Sequence, residues 1–190
     1  MMRTLKLTAK DFKTVDGYKE YTGREDLTDF EGNLEFEADL GWMKFGRIKV
    51  SGYILIEAGG SIEAGDWIEA GGSIKAGDWI KAGGWIEAGG SIKAGGSIEA
   101  VRGGILAGLY IKCTGILKFK LRLFAGVSPY SWNENCSKEV TCGKLEGNVV
   151  YGDVTETGIP DDKQETIEIG GITYDKSEVE KRLKDIKPVK

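Results

Sequence analysis

The sequence predicts a mainly β fold: a short β-helix, or solenoid, of six-residue strands at about 18 residues per coil, with a small C-terminal β-hairpin plus helix. Three observations carry this. From Ile56 the chain runs through eight hexads without a slip, with Ile at 56, 62, 68, 74, 80, 86, 92 and 98. Ala follows two positions after each Ile, with Glu or Lys between them, which is strand alternation with two side chains inward and one outward. Gly-Gly or Gly-Asp comes next, suiting a corner that needs positive φ or close backbone approach. A period of six keeps no face apolar in a helix of 3.6 residues per turn, and regularly spaced Ile is foreign to a Gly-rich linker.

Taken in order, residues 1–33 form an N-terminal capping segment and residues 34–126 the β-helix. Leu34–Ala38 and Ile48–Val50 read as degenerate coils, and Ile105, Ile111 and Leu117 keep the six-residue spacing after a one-residue shift. About four to five coils follow from this. The run ILKFKLRLF from Ile116 predicts an amphipathic strand, with Lys118, Lys120 and Arg122 on one side and Leu117, Phe119, Leu121 and Leu123 on the other. Lysines of that kind block an edge, or form a contact face. Residues 127–165 are an irregular extension and linker, and residues 166–190 a hairpin–helix unit. Its hairpin turns at Gly170-Gly171. Asp175 and Glu178 have capping-box spacing ahead of a helix striped by Val179, Leu183 and Ile186.

Stacking the hexads at 18 residues generates ladders. Trp67 falls on Trp85, Trp79 between Ser61 and Ser97, and Ser73 on Ser91. Glu63, Lys81 and Glu99 alternate up one face, Glu57 meets Lys75 with Lys93 beyond, and Glu69 stacks on Glu87. A period of 12 would instead join Trp67 to Trp79.

Composition excludes several chemistries. Among 190 residues there is no His, which removes Ser–His and Cys–His pairs and most zinc sites. A net charge of −4 gives no support to direct nucleic-acid or anionic-membrane binding. The Gly pairs recur in every coil and match no phosphate loop, and no serine sits in a nucleophile elbow. No catalytic residue, metal site or cofactor is expected, and the protein is read as a non-enzyme. The start has no apolar signal region and no 18-residue apolar run exists, so a cytoplasmic protein is expected. Cys113, Cys136 and Cys142 are expected as reduced thiols, although Cys136 and Cys142 could bridge if oxidised.

Binding is the remaining class. Trp67, Trp79 and Trp85 replace Ser at corners, and either form a sticky outward patch or are covered by the terminal segments. Glu57, Glu63, Glu69, Glu87, Lys118, Lys120 and Arg122 are the other interface candidates. Glu20, Glu25, Asp26, Asp29, Glu31, Glu35, Glu37 and Asp39 crowd residues 20–39 with Arg24 as the only base. They form a solvated face or an acidic patch able to compete for a basic groove.

The hexads resemble those of left-handed hexapeptide-repeat β-helix proteins, such as acyltransferases and gamma-type carbonic anhydrases. Those families use His, so their activities are not implied here. Bactofilin-type polymers are similar in their short apolar strands, and pentapeptide-repeat proteins in presenting a charged surface to a nucleic-acid enzyme. The IEAGGS/IKAGDW arrays and the GITYDKSEVEKRL ending also resemble small phage and mobile-element accessory proteins, including anti-CRISPR proteins. That resemblance implies an inhibitor of a bacterial defence nuclease, with a bacterial effector such as a CRISPR complex as partner. The alternative is a scaffold that self-associates, as a homodimer through a solenoid end or the C-terminal helix.

Overall fold

The computed structural model describes residues 2–127, 137–159, 166–169 and 172–175. Met1–Ile159 and Pro160–Lys190 are two separate compact units.

In the first unit three short strands make each coil. Before the first full coil come β1 (Thr4–Leu7) and the hairpin β2 (Phe12–Val15) and β3 (Tyr18–Tyr21). Six full coils follow: β4 (Asn33–Phe36), β5 (Gly41–Phe45) and β6 (Ile48–Val50); β7 (Ile54–Ile56), β8 (Gly60–Ala64) and β9 (Ile68–Ala70); β10 (Ile74–Ala76), β11 (Ile80–Ala82) and β12 (Ile86–Ala88); β13 (Ile92–Ala94), β14 (Ile98–Ala100) and β15 (Ile105–Ala107); β16 (Ile111–Cys113), β17 (Ile116–Phe119) and β18 (Leu123–Ala125); β19 (Glu139–Cys142), β20 (Lys144–Glu146) and β21 (Val149–Tyr151). β22 (Asp153–Glu156) begins another turn. Every third strand pairs, giving three sheets. Face 1 is β1-β4-β7-β10-β13-β16-β19-β22, face 2 is β2-β3-β5-β8-β11-β14-β17-β20, and face 3 is β6-β9-β12-β15-β18-β21. All pairs are parallel except β2 with β3.

The register confirms a coil of three hexads: Ile80 lies between Ile62 and Ile98, and Ile86 on Ile68. Every leading Ile from Ile62 to Ile98 is fully buried, and each following Ala is at most 7 % exposed. Large and small residues thus alternate into one continuous core, the packing that stacked repeats require.

The hexad glycines serve close approach. None of those between Gly65 and Gly96 has positive φ. A Cβ on Gly83 would lie 1.9 Å from the Gly65 carbonyl oxygen, and one on Gly95 2.0 Å from that of Gly77. At Gly71, Gly77, Gly83, Gly89 and Gly95 the first corner residue thus rests against a carbonyl of the same corner one coil earlier, which favours Gly there, while Ser51, Val101 and Thr114 hold that place in other corners.

The solenoid extends beyond 34–126 at both ends. β1 pairs with β4, and the β2–β3 hairpin pairs with β5. Phe12, Tyr21, Phe36 and Phe45 close this end, with ring centroids 5.8–6.4 Å apart. Beyond Gly126, β19–β22 continue all three sheets. The six full coils exceed the four to five expected, because the last of them, β19–β21, follows Gly126 only after a longer stretch and carries no Ile-x-Ala hexad to mark it.

Residues 116–124 are not one amphipathic strand. The chain turns after Phe119, where the Leu121 N–H donates to the Gly103 carbonyl at 2.9 Å. Lys118 stays on face 2, Lys120 and Arg122 fall in the corner, and Leu121 is exposed. β17 is also not an edge, since β20 covers it.

In the second unit β23 (Thr166–Ile169) and β24 (Ile172–Asp175) pair antiparallel with Ile169 opposite Ile172, which is the expected hairpin. The helix expected after Asp175 lies outside the described residues, as does Cys136.

Candidate functional site

Each strand sends one side chain outward, so each face carries a single row of rungs about 4.8 Å apart. The three rows differ in chemistry.

Face 2 reads Lys13, Glu20, Lys44, Glu63, Lys81, Glu99, Lys118, Glu146. The alternation expected for Glu63, Lys81 and Glu99 extends over the whole sheet. Lys81 lies 3.6 Å from Glu63, and Lys118 lies 4.0 Å from Glu99 and 3.6 Å from Glu146. A hydrogen bond from Lys144 holds the Glu146 carboxyl below its ordinary range. This face neutralises itself.

Face 1 reads Lys6, Glu35, Leu55, Lys75, Lys93, Lys112, Thr141, Thr155. Here an expected contact fails. Lys75 faces Leu55, not Glu57. The strand is Ile54–Ile56, with Ile54 in the Ile position and Ile56 in the Ala position. Ile62 follows Ile54 by eight positions instead of six, so Glu57 and Ala58 are displaced into a wider, exposed corner. Three lysines consequently stack in register. Among the described residues none of them has an ion-pair partner. Lys93 lies 5.3 Å from the Tyr110 ring centre, and its ammonium draws the Tyr110 phenol below its ordinary pKa.

Face 3 reads Lys49, Glu69, Glu87, Leu106, Phe124, Tyr151. Its leading corner carries Arg47, Trp67, Trp85, Gly104 and Arg122 in the same order, because Ile48, Ile68, Ile86 and Ile105 each donate to the corner residue of the next coil. Trp67 and Trp85 hold the same corner position in adjacent coils, as expected, and both stand outward, 40 % and 37 % exposed. Together with Ile68, Glu69 and Glu87 they line a cleft of about 170 Å³. The guanidinium of Arg47 lies 5.3 Å from the Trp67 ring centre, and Lys49 lies 3.5 Å from Glu69.

Trp79 occupies the other corner. It sits between Ser61 and Ser97, with its N–H donating to Ser61 Oγ at 3.3 Å. Its ring meets Trp42 at 5.9 Å, a contact unforeseen because Trp42 precedes the clean repeat. The Ser73 hydroxyl likewise accepts from the Ser91 N–H at 3.0 Å, and that of Ser97 from the Ile116 N–H at 2.8 Å.

The acidic run does not form one patch. Coiling sends Glu20 to face 2 and Glu35 to face 1. Glu20 pairs with Lys13 at 3.0 Å, Glu25 with Arg3 at 2.6 Å, and Asp29 with Lys49 at 3.9 Å. Glu35 accepts from Tyr53 and lies 3.4 Å from Lys6, and both hold its carboxyl below the ordinary range. Asp26 is lowered by the Thr28 hydroxyl and N–H. Glu37 accepts from the Ala9 N–H, Asp39 sits in a turn at φ 60°, and Glu31 is exposed.

Cys113 and Cys142 lie at the same inward position of adjacent coils as free, buried thiols. Burial, then the neighbouring Cys142, pushes the Cys113 thiol up to about 12. Among the described residues no three His, Cys, Asp or Glu gather as metal ligands, and no helix is long and apolar enough to cross a membrane.

Comparison with family models, with curated proteins and with solved structures produced no match to this chain. The site therefore rests on its own geometry: regular rows of charge on three faces and tryptophans at two corners.

Proposed function

We propose that this protein is a non-enzymatic, anti-CRISPR-like inhibitor of a bacterial defence nuclease, acting in the bacterial cytoplasm by steric and electrostatic occlusion. The observation that supports it most is the exposed Trp67–Trp85 corner beside Glu87, which has no ion-pair partner among the described residues, since aromatic anchors rimmed by charge are the usual centre of a protein interface. The lack of His in the chain supports binding over chemistry. The phage or mobile-element origin, and the nuclease as target, rest on the resemblance of the hexad arrays and C-terminal motif. The test is capture by the tagged protein from lysates of hosts with active defence systems, paired with phage plating on those hosts. Co-purification of a nuclease effector and restored plaques are expected. No effector and no restored plaques in any such host would refute the reading.

A second reading is a self-associating β-solenoid scaffold. It is supported by the common coil rise of faces 1 and 3, which places Lys75 and Lys93 at the same spacing as Glu69 and Glu87. A mass that stays monomeric over a hundredfold concentration range would refute it.

A further inference from the structure

Face 3 contains a contact that is made once and then offered again. In one coil Arg47 stands over the Trp67 indole while Lys49, two residues on, pairs with Glu69. The next coil repeats the accepting half: Trp85 follows Trp67 and Glu87 follows Glu69 in register. Relative to Trp85 and Glu87, the positions that Arg47 and Lys49 hold one coil earlier are taken by Trp67 and Glu69, and the coil after carries Gly104 and Leu106, so neither neighbouring rung supplies a cation. Among the described residues no cation lies over Trp85 and none is within ion-pair distance of Glu87. Glu87 instead adds a like charge beside Glu69, an arrangement that is unfavourable in the free protein.

The cleft is also shaped in advance. The Trp85 indole lies across Gly104, where a Cβ would come within 2.7 Å of its Cζ3. The ring is thus supported from behind and faces the cleft between the two indoles and the two carboxylates. Its volume of about 170 Å³ suits one long side chain. A guanidinium or ammonium there would stack on indole faces and meet a carboxylate, the combination that favours Arg and Lys.

We propose that Trp67, Trp85, Glu69 and Glu87 form a receptor site for an arginine or lysine side chain presented by a partner protein. The intramolecular Arg47–Trp67 and Lys49–Glu69 contacts are its template. The proposal rests on the protein-binding reading but not on the nuclease target, and its test reads the site directly.

The test is calorimetric titration of the full chain with the tetrapeptide Lys-Arg-Lys-Arg, against Gly-Ser-Gly-Ser, at low salt. Binding of the basic peptide alone is expected. Glu87→Gln should weaken it about tenfold, as loss of a charge-assisted contact implies. Trp85→Leu should weaken it about threefold, in line with an exposed cation–π contact. Glu139→Gln removes the same charge from an exposed position on face 1 and should leave affinity unchanged. Equal binding by wild type and Glu87→Gln, or equal weakening by Glu139→Gln, would overturn the site in favour of diffuse attraction. If Glu87→Gln still restores phage growth as wild type does, the inhibitor reading stands and this site is not its contact. If the peptide binds as expected and no nuclease is captured, the site stands and the nuclease reading falls.

Discussion

Charge reversals on faces 1 and 2 should act with opposite sign. Lys75 has one charged rung neighbour, Lys93, with Leu55 on its other side. Lys75→Glu turns one repulsive rung into an attractive one. Cross-strand pairs are worth roughly 0.2–1 kcal/mol, so the swing is a stabilisation of about 0.5–1 kcal/mol. Lys81 lies between Glu63 and Glu99, so Lys81→Glu turns two attractive rungs repulsive. The same reasoning gives a loss of about 1–2 kcal/mol. Glu and Lys are similarly poor strand formers, so propensity does not confuse the comparison. The assay is urea unfolding at low salt and again at 1 M salt, where the screening length of about 3 Å is below the rung spacing. The midpoint should rise for Lys75→Glu and fall roughly twice as far for Lys81→Glu, and both shifts should shrink in high salt. Shifts of the same sign, or shifts indifferent to salt, would refute the account of the ladders.

Other predictions concern the corners and the core. Gly83→Ala drives a methyl to 1.9 Å from the Gly65 carbonyl and should sharply lower the unfolding midpoint. Gly46→Ala meets nothing within 4 Å and should be neutral or stabilising by about 0.5 kcal/mol in the same assay. Ser97→Ala leaves the Ile116 N–H without its acceptor and should cost about 1–2 kcal/mol by denaturant titration. The Cys113 thiol is favoured neutral in the fold, with a pKa of about 12 against about 8.5 when unfolded. Its contribution is complete below pH 8.5 and lost as pH rises towards 12. Wild type should therefore lose more stability between pH 7 and 10 than Cys113→Ala, and equal losses would contradict this.

Much of this architecture is legible in the hexads. An Ile every six residues and a Gly that permits close approach define an 18-residue coil, and from that the Trp67–Trp85, Ser73–Ser91 and Glu63–Lys81–Glu99 rungs follow. The errors arise where a corner changes length without a marker. Ile54 and Ile56 both satisfy the alternation, and periodicity alone cannot say which leads the strand, so the sequence points to Glu57 for the rung that Leu55 occupies. The corner at Lys120–Arg122 has no Gly, so alternating residues on either side read as one strand. The acidic run looked like a patch because neighbours in sequence are not neighbours on a coil, which distributes residues 20–39 over different faces. The Arg47–Trp67 contact leaves only a faint signal: Arg47 precedes Ile48 as Trp67 precedes Ile68.

The alternation on face 2 has a bearing on how such a protein can change length. Its interior is indifferent to the number of coils, since every Ile and Ala finds the same neighbours above and below. Its surface is not. Excising residues 74–91 would rejoin a sound core but bring Glu63 onto Glu99 and Trp67 onto Gly104. The interior counts coils singly, while the charged face counts them in twos. Growth or shrinkage by pairs of coils is therefore electrostatically silent there, and an odd step leaves a seam.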